Sequence, residues 1–303
     1  MSGRKGSQSA VSELPPCEGP KLNVFQHHKS RIHWLERLDN EDEDVTSSQG
    51  YVFRALIRGH EYAIKVVCNN ILSYHQIFST FVDYDLLVVW YQFKFFDPMS
   101  TEYFWGPSLG EDTPLDTAAY YTDPFYAECR AYGRINEAMK KRVLKSDIAV
   151  PCHGFLFLRA NDQEALKNLD IDLGLEDMDL DYQKSTIEGL RARAIVKDIA
   201  SSDSGVNSKS IRKILSNVIT MNKAGIYNMD IRIDNFRDGK VVDFGSSWTE
   251  PHALLDSLSR DAALESKIAD RVMFDQMVEE EEIDTKGKVK ALHPMRLRSQ
   301  SVR

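Results

Sequence analysis

Apolar positions gather in three short runs along the first third of the chain, IHWLERL (Ile32–Leu38), YVFRALI (Tyr51–Ile57) and EYAIKVV (Glu61–Val67). Short runs of this kind, with β-branched and aromatic side chains, predict strands. Arg58-Gly59-His60 predicts a hairpin turn between the last two. The pattern changes at Asp123-Pro124, where Asp caps and Pro suits a first helical turn. The helix that follows, over 123–141, places Phe125, Cys129, Tyr132 and Met139 on one face. PCHGFLFL (151–158), a short apolar run, predicts a buried strand, and RARAIVKDI (191–199) predicts another strand. Ile211, Ile214, Leu215, Val218 and Ile219 form a helical stripe ended by Gly225. From Thr249-Glu250-Pro251 a helical region carries Leu254, Leu255, Leu258, Phe274, Met277 and Val278, and the acidic run Glu279–Glu282 closes it.

The segments between these runs divide the chain. Residues 1–30 are polar, contain Pro15-Pro16, and are expected to be disordered. Residues 31–200 form a strand-rich N-terminal lobe, with 97–122 and the acidic stretch 159–190 expected as loops. Residues 201–284 form a smaller helical lobe. Residues 285–303 hold only basic charge and are expected to be a flexible arm. Strands come first and helices dominate later, which predicts an α+β protein.

Composition narrows the function. With 303 residues, 42% hydrophobic and 28% charged, the chain can bury one large or two smaller cores. A net charge of -8 argues against unspecific nucleic-acid binding by the body of the protein. The basic tail is expected as a solvated arm, its sharper role a contact with DNA or an acidic partner. Cys17, Cys68, Cys129 and Cys152 form no CxxC pair and read as reduced thiols of a nuclear or cytoplasmic protein. The N-terminus shows no apolar signal region. LLVVWYQFKFF (86–96) is the nearest approach to a membrane span, but it is short and carries Lys94, so no membrane is expected.

The chemistry concentrates in GIYNMDIRIDNFRDGKVVDFG, residues 225–245. Asp238-Gly239 is a favoured two-residue hairpin turn, and a hairpin there folds Asn235 back towards Asp243. Asp230 lies five residues before Asn235. An amide and two carboxylates then converge at one end of the hairpin. Oxygen ligands of this kind suit Mg²⁺, and a remaining carboxylate is free to orient or deprotonate a hydroxyl.

Asp-x-x-x-x-Asn followed by Asp-Phe-Gly resembles the catalytic-loop and metal-loop signature of the protein-kinase-like superfamily. The resemblance implies a bilobal fold with a shortened C-lobe, and it implies ATP and Mg²⁺ as cofactors. It assigns Asp230 as catalytic base, Arg232 in place of the catalytic-loop lysine, and Asn235 and Asp243 as Mg²⁺ ligands. Tyr-Ala-Ile-Lys places Lys65 as the strand lysine that holds phosphates, and Glu128 is its natural partner on the 123–141 helix. Only Gly50 and Val52 remain of the glycine-rich phosphate loop. DPFYAECRAYGRI, RAIVKDI and the abbreviated hairpin before Asp243-Phe244-Gly245 resemble a group of filamentous-fungal kinase-like proteins, some assigned to an inner-kinetochore Sim4-complex subunit family. That resemblance implies protein partners at the kinetochore.

The chain departs from the superfamily pattern in several places. The acidic run Asp39–Asp44 lies where phosphates are expected. Asn228-Met229 replaces the His-Arg before the catalytic aspartate, which removes a structural clamp. No Ala-Pro-Glu follows Gly245, and the C-terminal region is expected to be too short for a full peptide-substrate platform. Residues 67–92 read as a retained intron: Val67-Cys68 admits GTATGT, Gln92 admits CAG, and excision joins Tyr62–Val66 to Phe93–Pro98 as one strand. Two functions follow from these features. One is a nucleotide- and Mg²⁺-dependent phosphotransferase. The other is a pseudokinase that serves as an interaction module, with a kinase of small molecules as a weaker third.

Overall fold

The computed structural model describes residues 14, 18–39, 50–67, 102–110, 112–171, 173, 192–287, 289 and 292. Most of the intron-like block 67–92 and most of the basic tail lie outside the described residues.

Five strands form one antiparallel sheet: β1 (His33–Arg37), β2 (Tyr51–Ile57), β3 (His60–Val67), β4 (Cys152–Phe157) and β5 (Arg193–Lys197), in the order β1-β2-β3-β5-β4. The β2–β3 hairpin turns at Arg58-Gly59, both with positive φ. In β2, buried residues alternate with half-buried ones, as the period of two requires. β5 is an inner strand buried at every position, Arg193 and Lys197 included. On one face, Phe53, Ile57, Ile64, Leu156 and Val196 belong to an all-apolar core. The other face, through Phe155 and Ile195, meets Phe125, Cys129 and Tyr132 of α3 (Pro124–Lys140), and this core continues to Phe236 and Phe274 in the helical lobe. Each buried ring there contributes about 2 kcal/mol.

α3 starts as its sequence dictates. The Asp123 carboxylate accepts from the Phe125 amide at 2.8 Å, and Pro124 occupies the first turn. Met139 was expected on the buried face but is 37% exposed, because the core-facing line passes through Ile135 and Ala138 in the last turns. Likewise Ile219 is exposed on α5 (Ile211–Lys223), where Ile214, Val218 and Met221 carry the stripe.

Three further expectations change. Residues 97–122 are not all loop: α1 (Glu102–Leu109) and α2 (Leu115–Thr122) form there. They are stabilised by tertiary packing, Trp105 and Ala118 closing against Leu254 of α6 (Ala253–Ser257). The 159–190 stretch begins with a helix, α4 (Ala160–Lys167), whose Asp162 reaches back to the Arg159 amide. Residues 18–30 are packed rather than disordered, with Leu22 and Phe25 buried. The chain closes through α7 (Arg260–Glu280), which packs against α5 and β6 (Ile226–Tyr227); β6 in turn pairs with β9 (Trp248–Thr249).

Candidate functional site: a charged cleft between the sheet and the hairpin

The site lies where the inner face of the sheet meets β7 (Phe236–Arg237) and β8 (Lys240–Val241). These two-residue strands are joined by Asp238 and Gly239 at φ +51° and +70°. Two successive positive φ values define the type I′ turn that matches strand twist, and Asp-Gly supplies it. The turn is fixed by loop 201–205, whose Asp203 and Ser204 carbonyls accept from the Asp238 and Gly239 amides.

Lys65 sits on β3 directly opposite Val52 of β2 and Ile195 of β5. Cross-strand neighbours share a face, so Lys65 and Val52 point to the same side, and so does Lys197, two residues beyond Ile195. The Lys65 Nζ lies 2.7 Å from Asp243 Oδ1 and 3.2 Å from Glu128 Oε2. Lys197 pairs with the other Glu128 oxygen and donates to the Val242 carbonyl at 2.7 Å. Glu128 is fully buried on α3, where an unpaired carboxylate would be strongly destabilising. Burial pulls the Lys65 ammonium down, but Asp243 and Glu128 outweigh it and raise its pKa above the ordinary lysine value. Burial likewise pushes Asp243 up, and Lys65 and Lys197 outweigh it, holding the carboxyl at about 2. At neutral pH Lys65 is therefore an ammonium and Asp243 a carboxylate. Lys197 was missed in the sequence. Its signal was the two-residue offset from Ile195 on a buried strand.

The lower side is built from the loop after β6. The Asn235 side chain donates to the Asp230 carbonyl at 2.9 Å, so its amide oxygen remains as an acceptor. Arg232 Nε lies 3.4 Å from Asp230 Oδ1, both side chains partly exposed. Burial raises the Asp230 carboxyl above its ordinary value, opposed first by Arg232. Asp243 Oδ1 also accepts from the Gly245 amide at 2.8 Å. The clamp expected to be lost with His-Arg is present in another form. Asn228 donates to the Asp243 carbonyl at 2.7 Å and accepts from the Asp230 amide at 3.1 Å. Asp270 on α7 accepts from the Asn228 and Met229 amides at 2.8 and 2.7 Å, and from the Asn222 side chain at 2.7 Å. Met229, at φ +63°, is held in the left-handed region by these bonds. Asp270 was not anticipated, since it reads as one acid among several on an amphipathic helix.

Gly50 and Val52 stand at the entry to β2. Gly50 has φ +128°, and a Cβ there would lie 2.1 Å from the Val66 carbonyl oxygen, so backbone packing alone requires glycine. Residues 40–49, between β1 and β2, lie outside the described residues. Asp39, the first of the acidic run, pairs with Arg37 at 2.9 Å and accepts from the Val52 amide at 3.3 Å.

The oxygen donors fit a hard cation: Asp243 keeps Oδ2 beyond the atom shared by Lys65 and Gly245, and Asn235 keeps its amide oxygen. Among the described residues no group of three His, Cys, Asp or Glu side chains forms a metal cluster, and no helix is long and apolar enough to cross a membrane.

Among solved structures the chain is similar to one described as the structure of vaccinia related kinase 3, at 8% identity and a TM-score of 0.35. The match covers 80% of this chain and 54% of that one, so the chain spans about half its length. No curated protein matches the chain. The profile of the family described as kinetochore Sim4 complex subunit FTA2 matches residues 10–248, which take in the sheet, α3, the hairpin and every residue of the cleft except Asp270. The chain belongs to the kinetochore Sim4 complex subunit FTA2 family.

Proposed function

We propose that this protein is a kinase-fold interaction module that works in the nucleus as a subunit of a kinetochore assembly, with other proteins as its partners. The observation that carries this reading is the family match across residues 10–248. The cleft supports it. The cation that would receive phosphates, Lys65, is already neutralised by Asp243 and Glu128, so the charge cluster ties sheet, α3 and hairpin together without any ligand. The test is recovery of the tagged chain from cells. Co-purification with kinetochore subunits and localisation at centromeres are expected. A chain that co-purifies with none of them and is absent from centromeres overturns the reading.

A second reading has its own support in the intact polar set: the chain binds ATP with Mg²⁺. Asn235 and Asp243 would hold the metal, which supplies charge neutralisation for phosphates. Lys65 would bind phosphate oxygens, Glu128 would orient Lys65, and Asp230, beside Arg232, would orient an acceptor hydroxyl. Calorimetry with ATP, with and without Mg²⁺, decides between the readings. Mg²⁺-dependent binding that disappears in Asp243→Asn supports a nucleotide site. Absence of binding by the folded wild type leaves the interaction module.

A further inference from the structure

The N-terminal segment before β1 runs extended along the free edge of β4. Phe25 donates its amide to the Phe155 carbonyl at 2.7 Å, and the Phe155 amide donates to the Asn23 carbonyl at 3.1 Å, a parallel bridge centred on Val24. Leu22 is buried in the same core as Phe125, Cys129 and Tyr132 of α3. Phe25 is fully buried and meets the Tyr62 ring edge-on at 5.3 Å. Beyond it, Arg159 donates to the Lys29 and Ser30 carbonyls.

Two glycines make room for this path. Gly133 lies in the middle of α3, where alanine is the better helix former. A Cβ there would lie 2.7 Å from the Lys21 backbone. Gly154 of β4 has φ +137°, and its Cβ would lie 2.6 Å from the Asn23 carbonyl oxygen. A helix-interior glycine against another backbone marks a close approach that no side chain permits. Gly133 follows Glu128 by five residues, so the two point about 140° apart around α3. The segment therefore holds α3 from one side while Lys65 and Lys197 hold it from nearly the other.

We propose that the groove between α3 and the edge of β4 is a docking site for an extended peptide, that residues 18–25 of this chain fill it, and that this occupancy positions α3 and thereby the Glu128–Lys65 pair. Recognition is by main-chain pairing to Phe155, by the two glycine gaps, and by the apolar anchors Leu22 and Phe25. The site is separate from the charged cleft and does not depend on whether the cleft takes nucleotide.

The test uses the full chain as wild type, Gly133→Ala and Leu22→Glu. Amide exchange reads residues 18–25, and the rate at which an amine-reactive ester acylates Lys65, mapped by mass spectrometry, reads the ion pair. Both variants are expected to speed exchange at 18–25 and to raise Lys65 acylation on the order of tenfold, as local release of a packed segment does. This is expected of Gly133→Ala even though alanine favours the helix. A peptide of residues 14–30 added in trans should restore slow acylation in Leu22→Glu, whose groove is intact, and not in Gly133→Ala. In the unaltered chain under sub-denaturing urea, exchange at 18–25 and Lys65 acylation should rise together, ahead of exchange in the sheet. Freed exchange at 18–25 with Lys65 acylation unchanged overturns the proposal, and so does a Lys65 signal that rises only with global unfolding.

Discussion

The two sides of the cleft differ in how their charges are held. On the sheet side, Lys65, Lys197 and Glu128 are almost entirely buried and Asp243 is about one-quarter exposed. Each carboxylate meets a lysine there. On the loop side, Asp230 and Arg232 are 33% and 55% exposed and stand 3.4 Å apart. The buried set is obligatory. Removing one member leaves a charge in an apolar setting, whatever the site binds. The exposed pair has water as an alternative partner and contributes little to folding. Stability alone accounts for the first set. The second has little structural work to do, so folding does not account for it.

The strongest way to break this comparison is Glu128→Leu. It leaves Lys65 with Asp243 and Lys197 with no carboxylate partner, only the Val242 carbonyl and the Tyr132 ring, and should lower stability by about 4 kcal/mol. Urea denaturation checks it. A loss below about 1 kcal/mol would mean that the buried set is not a structural element.

Next in size is Asp270→Ala. It strands two backbone amides and one side-chain amide beneath the loop that carries Asp230. The expected loss is about 3 kcal/mol, with the cost concentrated in buried donors left unpaired. Amide exchange at Asn228 and Met229 should accelerate more than exchange in β5, because the carboxylate holds the loop rather than the sheet.

These two residues show where the sequence was legible. Lys65 and Glu128 are far apart in the chain, yet each stood in a local pattern, a strand and an amphipathic helix, whose hydrophobic period fixed its face. Once faces are known, a charged residue at the border of a buried stripe calls for a partner. The Asp238-Gly239 hairpin was legible because its turn chemistry is local. Asp270 sits in RDAALESKIADR among other acids, and only the packing of α7 under β6 decides that it alone is buried there. Asn228 read as a lost clamp because its role depends on a partner, the Asp243 carbonyl, that the hairpin brings to it. The helices at 102–109 and 115–122 were hidden for the same reason, since their burial comes from contact with α6 rather than from their own periodicity. Residues 18–30 read as disordered because a segment that pairs by its backbone to one strand edge needs few apolar side chains.

The third prediction concerns acid. Asp243 is held at about 2 against an ordinary value of 3.8. A depressed carboxyl contributes stability that is present above its unfolded pKa and lost as pH falls through the folded one. The loss should therefore fall between about pH 4 and pH 2 and amount to about 2 kcal/mol. Asp123, Asp230 and Asp270 are raised by burial and act with opposite sign, stability falling as pH rises from 3.8 through their folded values. The acid limb of Asp243 is isolated by comparing urea midpoints of the wild type and Asp243→Asn at several pH values. The variant should be less stable at pH 5 and should lose less on going to acid. Parallel curves for the two proteins would show that Asp243 carries no special ionic role.

The smallest effect sharpens the comparison from the other side. Arg232→Ala removes the charge facing Asp230, but the pair is long and its guanidinium is more than half exposed. Exposed pairs of this sort contribute about 0.5 kcal/mol or less. The denaturation midpoint should barely move, and raising salt should erase what difference there is. The Asp230 carboxyl should respond more than the fold does. Arg232 is the first influence opposing its upward shift, so its titration, followed by carbonyl NMR, should move further up in the variant. A stability loss above about 1.5 kcal/mol would place Arg232 in a structural set and remove the distinction between the two sides. A small loss with a shifted Asp230 titration keeps the loop side as the part of the cleft that folding does not explain.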